Sequence, residues 1–312
     1  MHANMKETIK NLLPKSILQP LRRWLRERRE QQFSNQELVN IYIGEYQLLA
    51  PQSHMLIGLA KTQPLRDYCV EITARFAGAK YPRHSIIDIG ANIGDTAARI
   101  ALHTDNDMML VEPSPFYAKL LRINISKIPR RIQVIEALVG SGKPLIGELN
   151  HWGGTAYFHE TSDADVPQLP TLTLADISDQ PVCFIKIDTD GHDFSIILNN
   201  LGWLRQYQPA LLFEDAIRNS HELEQAQKTV EALATAGYTH FIIWDDPGYF
   251  ITSTTDPDVL RDLNKYLALS FENDHQRRLW NFDVLCLAGK DEDIYHQVSS
   301  WFRSYTSQDL RG

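Results

Sequence analysis

At 312 residues, 43% hydrophobic and 22% charged with a net charge of −8, the chain has the composition of an ordinary soluble protein, long enough for one large domain with extra segments or for two small ones. Cys69, Cys183 and Cys286 are odd in number and far apart, which excludes a disulfide framework and a CxxC metal site and predicts free thiols in a reducing compartment. No stretch nears the roughly 20 consecutive apolar residues of a membrane span, and the first 20 residues lack the apolar core of a signal peptide, so a cytoplasmic location is expected.

Charge is unevenly spread. Residues 1–30 hold eight Lys or Arg against three Glu, a balance of +5 that leaves −13 for the rest. Ile9, Leu12, Leu13, Ile17, Leu18, Leu21, Trp24 and Leu25 recur at roughly helical spacing, interrupted by Pro14 and Pro20. This basic lead is a candidate contact for an anionic membrane surface or a protein partner, and equally a solvated helix packed on its own domain. An acidic body without a basic stripe argues against nucleic acid as the main ligand. Residues 1–80 therefore read as an N-terminal helical extension with a basic tip.

From residue 85 the chain alternates between two periods. SIIDIG (85–90) is a strand, TAARIAL (96–102) a helix, DMMLVEP (107–113) a strand, FYAKLLRINI (116–125) a helix and RIQVIEALV (131–139) β-rich. VCFIKID (182–188), FSIILNNL (194–201) and PALLFED (209–215) continue as strand, helix and strand. Such alternation predicts an α/β protein with a parallel sheet and helices on both faces, whose ligands bind beyond the carboxyl ends of the strands. A helix over 222–237 stops at Gly237, THFIIWDD and YFIT flank a Pro247-Gly248 turn, 256–271 is helical and NFDVLCLAG (281–289) is a last strand. Residues 140–170, rich in Gly, Pro, His and Asp, read as an irregular insertion near the ligand edge.

Between the first of these strands and its helix, Gly90 and Gly94 allow a tight turn and close backbone approach to a ligand. Asp88 and Asn92 add polar groups, and Glu112, at the next strand end, is placed to accept from two ribose hydroxyls. A dinucleotide GxGxxG is absent, because the line reads Gly90-Ala91-Asn92-Ile93-Gly94-Asp95. Asp95 near a helix start would repel a pyrophosphate but tolerate a cationic sulfonium, which favours S-adenosylmethionine over NAD.

Four stretches in order, DIGANIGDT, VEPSPFYAKLLRINI, LPTLTLADI and FIKIDTDGHDFSIIL, closely resemble the FkbM-like family of S-adenosylmethionine-dependent methyltransferases. The resemblance implies a Rossmann-like, seven-stranded methyltransferase fold over residues 81–312, mostly parallel with one antiparallel edge strand. It also implies O-methylation of a sugar or polyketide hydroxyl. Carried over, Gly90, Asn92 and Gly94 would line the methionine end of the cofactor, Glu112 the ribose, and Ala137 or its neighbours the adenine, with Asp88, Ala91, Thr96, Pro113 and Ser114 as further cofactor-binding candidates. Asp190 stands where the family usually has Glu.

The chemistry needs a base for a hydroxyl acceptor, and His192 is the candidate, with Asp188 and Asp190 beside it. The alternative for His192 is a surface histidine in a helix's first turn. Three carboxylates at adjacent strand ends (Asp188, Glu214, Asp215) repel one another unless a cation lies between them, which makes Mg²⁺ a further candidate, with the set also similar to that of magnesium-dependent macrolide-sugar O-methyltransferases. The alternative is solvated or capping acids. Lys186, on the same side of its strand as Asp188, is expected to neutralise these acids, and Trp152 either stacks on a sugar ring or belongs to the core.

The leading reading is thus an O-methyltransferase acting on a small-molecule or saccharide acceptor. An NAD-dependent sugar oxidoreductase or epimerase is a second reading, disfavoured by the missing GxGxxG and the lack of a Tyr-x-x-x-Lys pair. The third is a non-catalytic nucleotide-binding module that docks through the basic helix in a glycan assembly complex.

Overall fold

The structure, a computed structural model, describes residues 36–161, 166, 168–272 and 279–304. The basic lead lies outside the described residues. Residues 36–80, expected as part of a helical extension, are not wholly helical. Strands β1 (Leu38–Ile43) and β2 (Tyr46–Pro51) form an antiparallel hairpin, followed by helices α1 (Leu56–Thr62) and α2 (Tyr68–Lys80). Helix α2 is no appendage, because Cys69, Val70, Ile72, Ala74 and Ala77 are buried against the central sheet.

The alternating region then runs β3 (Ser85–Ile89), α3 (Asp95–Ala101), β4 (Met108–Val111), α4 (Pro115–Ile125), β5 (Ile132–Ile135) and β6 (Leu138–Val139). A three-stranded excursion comes next, β7 (Leu145–Trp152), β8 (Thr155–Glu160) and short β9 (Gln168–Leu169) in the order β8-β7-β9, followed by β10 (Thr171–Leu172) and helix α5 (Leu174–Ile177). The chain continues with β11 (Val182–Ile187), α6 (Asp193–Asn199), α7 (Leu201–Tyr207), β12 (Ala210–Ala216), α8 (Ser220–Thr235), β13 (Tyr238–Asp245), β14 (Phe250–Thr254), α9 (Pro257–Glu272), β15 (Asn281–Ala288) and α10 (Glu292–Ser304).

The central sheet has the order β14-β13-β15-β12-β11-β3-β4-β5, with β5, β4, β3, β11 and β12 mutually parallel. The mixed α/β architecture with a mostly parallel sheet is as expected, but the strand count is eight rather than seven. The antiparallel edge strand is present as β14, paired with β13, but a second antiparallel strand, β15, is inserted between β12 and β13. Sequence explains both. NFDVLCLA is apolar on both faces and buried almost throughout, which an edge position would waste, whereas FITST is only half-buried and reaches its partner through the Pro247-Gly248 turn.

Strand alternation divides the core in two. Ile86, Leu110, Phe184, Leu212, Trp244 and Leu285 face α2 and α10, whereas Ile87, Val111, Ile185, Leu211, Ile243 and Val284 face the layer containing α6, α7, α8 and α9. The same two-residue period assigns a side to every charged residue near the strand ends.

The segment read as an irregular insertion is also corrected. Residues 145–160 form a regular antiparallel hairpin, registered from Gly147 opposite Glu160 to Trp152 opposite Thr155, with Gly153 (φ +62°) and Gly154 (φ +105°) as its two-residue turn. Consecutive positive-φ glycines suit the right-handed twist of a tight hairpin, a signal overshadowed by the polar composition around it. The β-rich run at 131–139 is split for a similar reason: Leu138 and Val139 leave the central sheet to pair with β10.

Candidate active site

The turn after β3 is built by three residues with positive φ: Gly90 (+85°), Asn92 (+48°) and Gly94 (+89°). At Gly90 glycine is required twice over, because a Cβ there would also collide with the carbonyl oxygen of Asp188. The turn is thereby pressed against the end of β11. Gly90 N and Ala91 N both donate to Val111 O, which binds it to β4 as well.

Glu112 lies just past β4 and is 4% exposed. Its Oε2 accepts the backbone N–H of Asn92 at 2.9 Å and its Oε1 that of Ser114 at 2.8 Å. Burial pushes its carboxyl up to about 7, against the pull of those two amides. Ser114, fully buried, caps α4, while Pro113 is half-buried next to it. Thr96 is buried in the first turn of α3, and Ala137 is buried between β5 and β6. The structure therefore brings Asp88, Gly90, Ala91, Asn92, Gly94, Thr96, Glu112, Pro113 and Ser114 to one end of β3 and β4, with Ala137 following the neighbouring β5.

Asp88 is fully buried and neither carboxylate oxygen has a hydrogen-bond partner; Lys186 Nζ is 3.6 Å away. Burial raises its carboxyl to about 6 even with that ammonium nearby. Lys186 also donates to Asp188 Oδ2 at 3.0 Å, and register places Lys186 opposite Asp88 across the β11–β3 pair. Burial opposes charge on Lys186, yet Asp188, Asp88 and Asp67 together hold its pKa well above the ordinary range. Burial likewise pushes Asp188 up, but Lys186 and Arg66 outweigh it and hold this acid below its ordinary value. The expected neutralising role of Lys186 is thus visible as geometry.

Beyond Asp188, a narrow pocket is lined by Asp67, Cys69, Lys186, Asp188, Glu214 and Asp283. Glu214 and Asp283 stand directly opposite each other on antiparallel strands. Burial, then their acidic neighbours, push both carboxyls well above the ordinary range. Asp67, Arg66 and Asp283 carry no motif and were invisible in the sequence; only the packing of α2 and the insertion of β15 bring them to this edge.

The expected magnesium set of Asp188, Glu214 and Asp215 is not assembled. Glu214 faces the α2 side with Asp188, whereas Asp215, the next residue, points to the opposite side, where Asn264 of α9 donates to it at 2.7 Å. Among the described residues, no group of three or more His, Cys, Asp or Glu side chains is placed to hold a metal ion.

His192 precedes α6, half-buried, and its Nε2 lies 3.1 Å from Phe158 O of the β7–β8 hairpin. A carbonyl only accepts, so in this contact Nε2 is the protonated nitrogen, which leaves Nδ1 as the basic one in neutral imidazole. Asp190 (φ +55°) accepts from Thr155 Oγ1 of the same hairpin. Asp188, Asp190 and His192 thus share the loop after β11, with two of them bonded to the hairpin. Trp152, at the hairpin tip, is 72% exposed and so is not core.

Residues 88–239 match the family model described as the methyltransferase FkbM domain. Among solved structures, the chain is similar to the methyltransferase FkbM from Methylobacillus flagellatus KT (16% identity, TM-score 0.39, covering 65% of this chain and 43% of that one). It is similar also to cofactor-bound Rv0187 from MTB (11%, TM-score 0.41, covering 74% and 87%) and to the plantazolicin methyltransferase BpumL in complex with a monoazolic desmethylPZN analog and SAH (10%, TM-score 0.39, covering 75% and 88%). The chain spans less than half of the first of these. No curated protein matches it.

Proposed function

We propose that this chain, which carries an FkbM methyltransferase domain over residues 88–239, transfers a methyl group from S-adenosylmethionine to a hydroxyl of a saccharide or glycosylated metabolite. The observation that carries the reading is Glu112, a buried acid at the end of the strand next to the glycine turn, bonded to the amide of Asn92 in that turn. The residues present fit the cofactor. Asp88 offers two buried oxygens without donors, and Glu112 can exchange its backbone partners for ribose hydroxyls. Asp88, Gly90, Asn92 and Gly94 would then hold the methionine end and Glu112 the ribose.

When bound, the cofactor supplies a methyl group on a cationic sulfur. The excess of carboxylates around Asp88, Asp188 and Glu214 over the buried Lys186 suits a positively charged ligand. His192 Nδ1 would take the proton of the acceptor hydroxyl, and Phe158 O keeps the ring in the tautomer that allows it. No step is assigned to Mg²⁺, because the three acids that would hold it are split between two faces of the sheet.

Calorimetric titration with S-adenosylhomocysteine, with NAD as control, tests the cofactor. Incubation with S-adenosylmethionine and a panel of sugars bearing free hydroxyls, read by mass gain of one methyl, tests the acceptor class. Binding of NAD in place of the homocysteine would overturn the reading.

A further inference from the structure

The β7–β8 hairpin is bonded to three parts of the site. Asn92 Nδ2 donates to Gly154 O at 2.8 Å, His151 Nε2 is 2.8 Å from Ser114 Oγ, Thr155 Oγ1 donates to Asp190, and His192 Nε2 donates to Phe158 O. Met55 N donates to Gly153 O at 2.9 Å, and His54 Nε2 is 3.4 Å from Asn92 Oδ1, so the segment before α1 joins the clasp. One hairpin thereby bridges the glycine turn, the end of β4 and the loop after β11. Next to these contacts Ser114 is fully buried and Glu112 is 4% exposed.

The hairpin is only lightly anchored by apolar burial. Of its two strands only Gly147 and Phe158 are buried, with Ala156 packed against the small cluster around Ile93 and Tyr117; β7 is laddered only at its base, Leu145 opposite Leu169 and Ile146 opposite Gln168 of β9, and neither strand pairs with the central sheet. It is joined to β6 by the five residues Gly140-Ser141-Gly142-Lys143-Pro144, with Gly142 at φ +78°. An element held at its tip by a few polar bonds and laddered only at its base opens at far lower cost than the sheet.

We propose that the hairpin Leu145–Glu160 is a lid: it lifts from Asn92, Ser114 and Asp190 to admit the cofactor and, on closing, orients His192 through Phe158 O. This rests on the reading of the glycine turn and Glu112 as the cofactor site. Closure does two things at once. It shuts water out of the transfer, and it makes the tautomer of His192 conditional on a closed site. Thr155 and Phe158 are then positioning residues.

The test is stopped-flow tryptophan fluorescence of the full chain mixed with increasing S-adenosylhomocysteine, with Trp152 at the lid tip as a reporter, in wild type and Thr155→Val. A lid makes the observed association rate level off at the opening rate, and loss of the bond from Thr155 to Asp190 raises that plateau about tenfold. Hydrogen exchange of the amides of 145–160 should slow on binding, a readout that needs no variant. Association that stays proportional to concentration, identical in Thr155→Val, with hairpin exchange unchanged by ligand, overturns the lid while leaving the cofactor site intact. No binding of the homocysteine at all overturns the cofactor reading and the lid with it.

Discussion

Glu112 and Asn92, 20 residues apart, meet through a bond of 2.9 Å between a side-chain carboxylate and a backbone amide. The acid that ends one parallel strand thereby fixes the turn that follows its neighbour. Glu112→Gln keeps the shape but halves the acceptor capacity. Affinity for S-adenosylhomocysteine should fall by about ten- to a hundredfold, and stability by about 1–3 kcal/mol if one amide is left unpaired. Calorimetry and urea unfolding of the same sample read the two effects.

Gly90→Ala is a sharper probe of the turn. A methyl there meets the Asp188 carbonyl, and φ of +85° strains any L-residue. The strain alone is worth about 1–3 kcal/mol, and the clash must push the turn away from β11. Loss of cofactor binding in a protein that still unfolds cooperatively is expected.

His192→Ala should leave cofactor affinity nearly unchanged while turnover falls by about a hundredfold or more. Single-turnover kinetics at saturating cofactor separate this from a binding defect. Unchanged turnover would make His192 a bystander at the start of α6.

Lys186 is 5% exposed and faces fully buried Asp88 as well as Asp188. Lys186→Met strands a buried carboxylate, which costs about 3–5 kcal/mol. Adding Asp88→Asn should recover a large part of the loss. A double-mutant cycle by chemical unfolding measures the coupling.

Asp215 is 1% exposed, and burial lifts its carboxyl from 3.8 to about 8, with Asp193 adding to the rise and Asn264 opposing it. Because its folded value lies above its unfolded one, the fold keeps the proton that the unfolded chain releases. The stability it contributes is complete below the unfolded value and is lost as pH rises towards about 8. Glu112, raised to about 7, acts in the same direction over a narrower window. Asp215→Asn should therefore change the melting temperature little at pH 4 and raise it at pH 8, flattening the profile between them. Thermal unfolding across that range checks the sign.

Much was legible from residues alone where local physics dominates. The strand–helix alternation from Ser85 onward, the Gly90–Gly94 turn and Glu112 at the next strand end are set by short-range requirements: apolar period, positive φ, and the topology that puts strand ends together. NFDVLCLA was legible as a last strand, read as compatible with a closing position at the sheet edge, although its two apolar faces suit an interior place. Its insertion between β12 and β13 still depended on which neighbours were free to pair.

The rest was decided by tertiary structure, for reasons of direction and distance. Glu214 and Asp215 are adjacent in sequence and read as one pair of acids, yet a strand turns successive side chains to opposite faces, so one joins Asp188 and the other Asn264. Asp67 and Asp283 stand 216 positions apart and share a pocket only because α2 and β15 converge on the same sheet edge. The hairpin over the site came from a polar, glycine-rich stretch with little apolar period to read. Its bonds to Asn92, Ser114, Asp190 and His192 link side chains and carbonyls far apart in the chain, which no local pattern encodes.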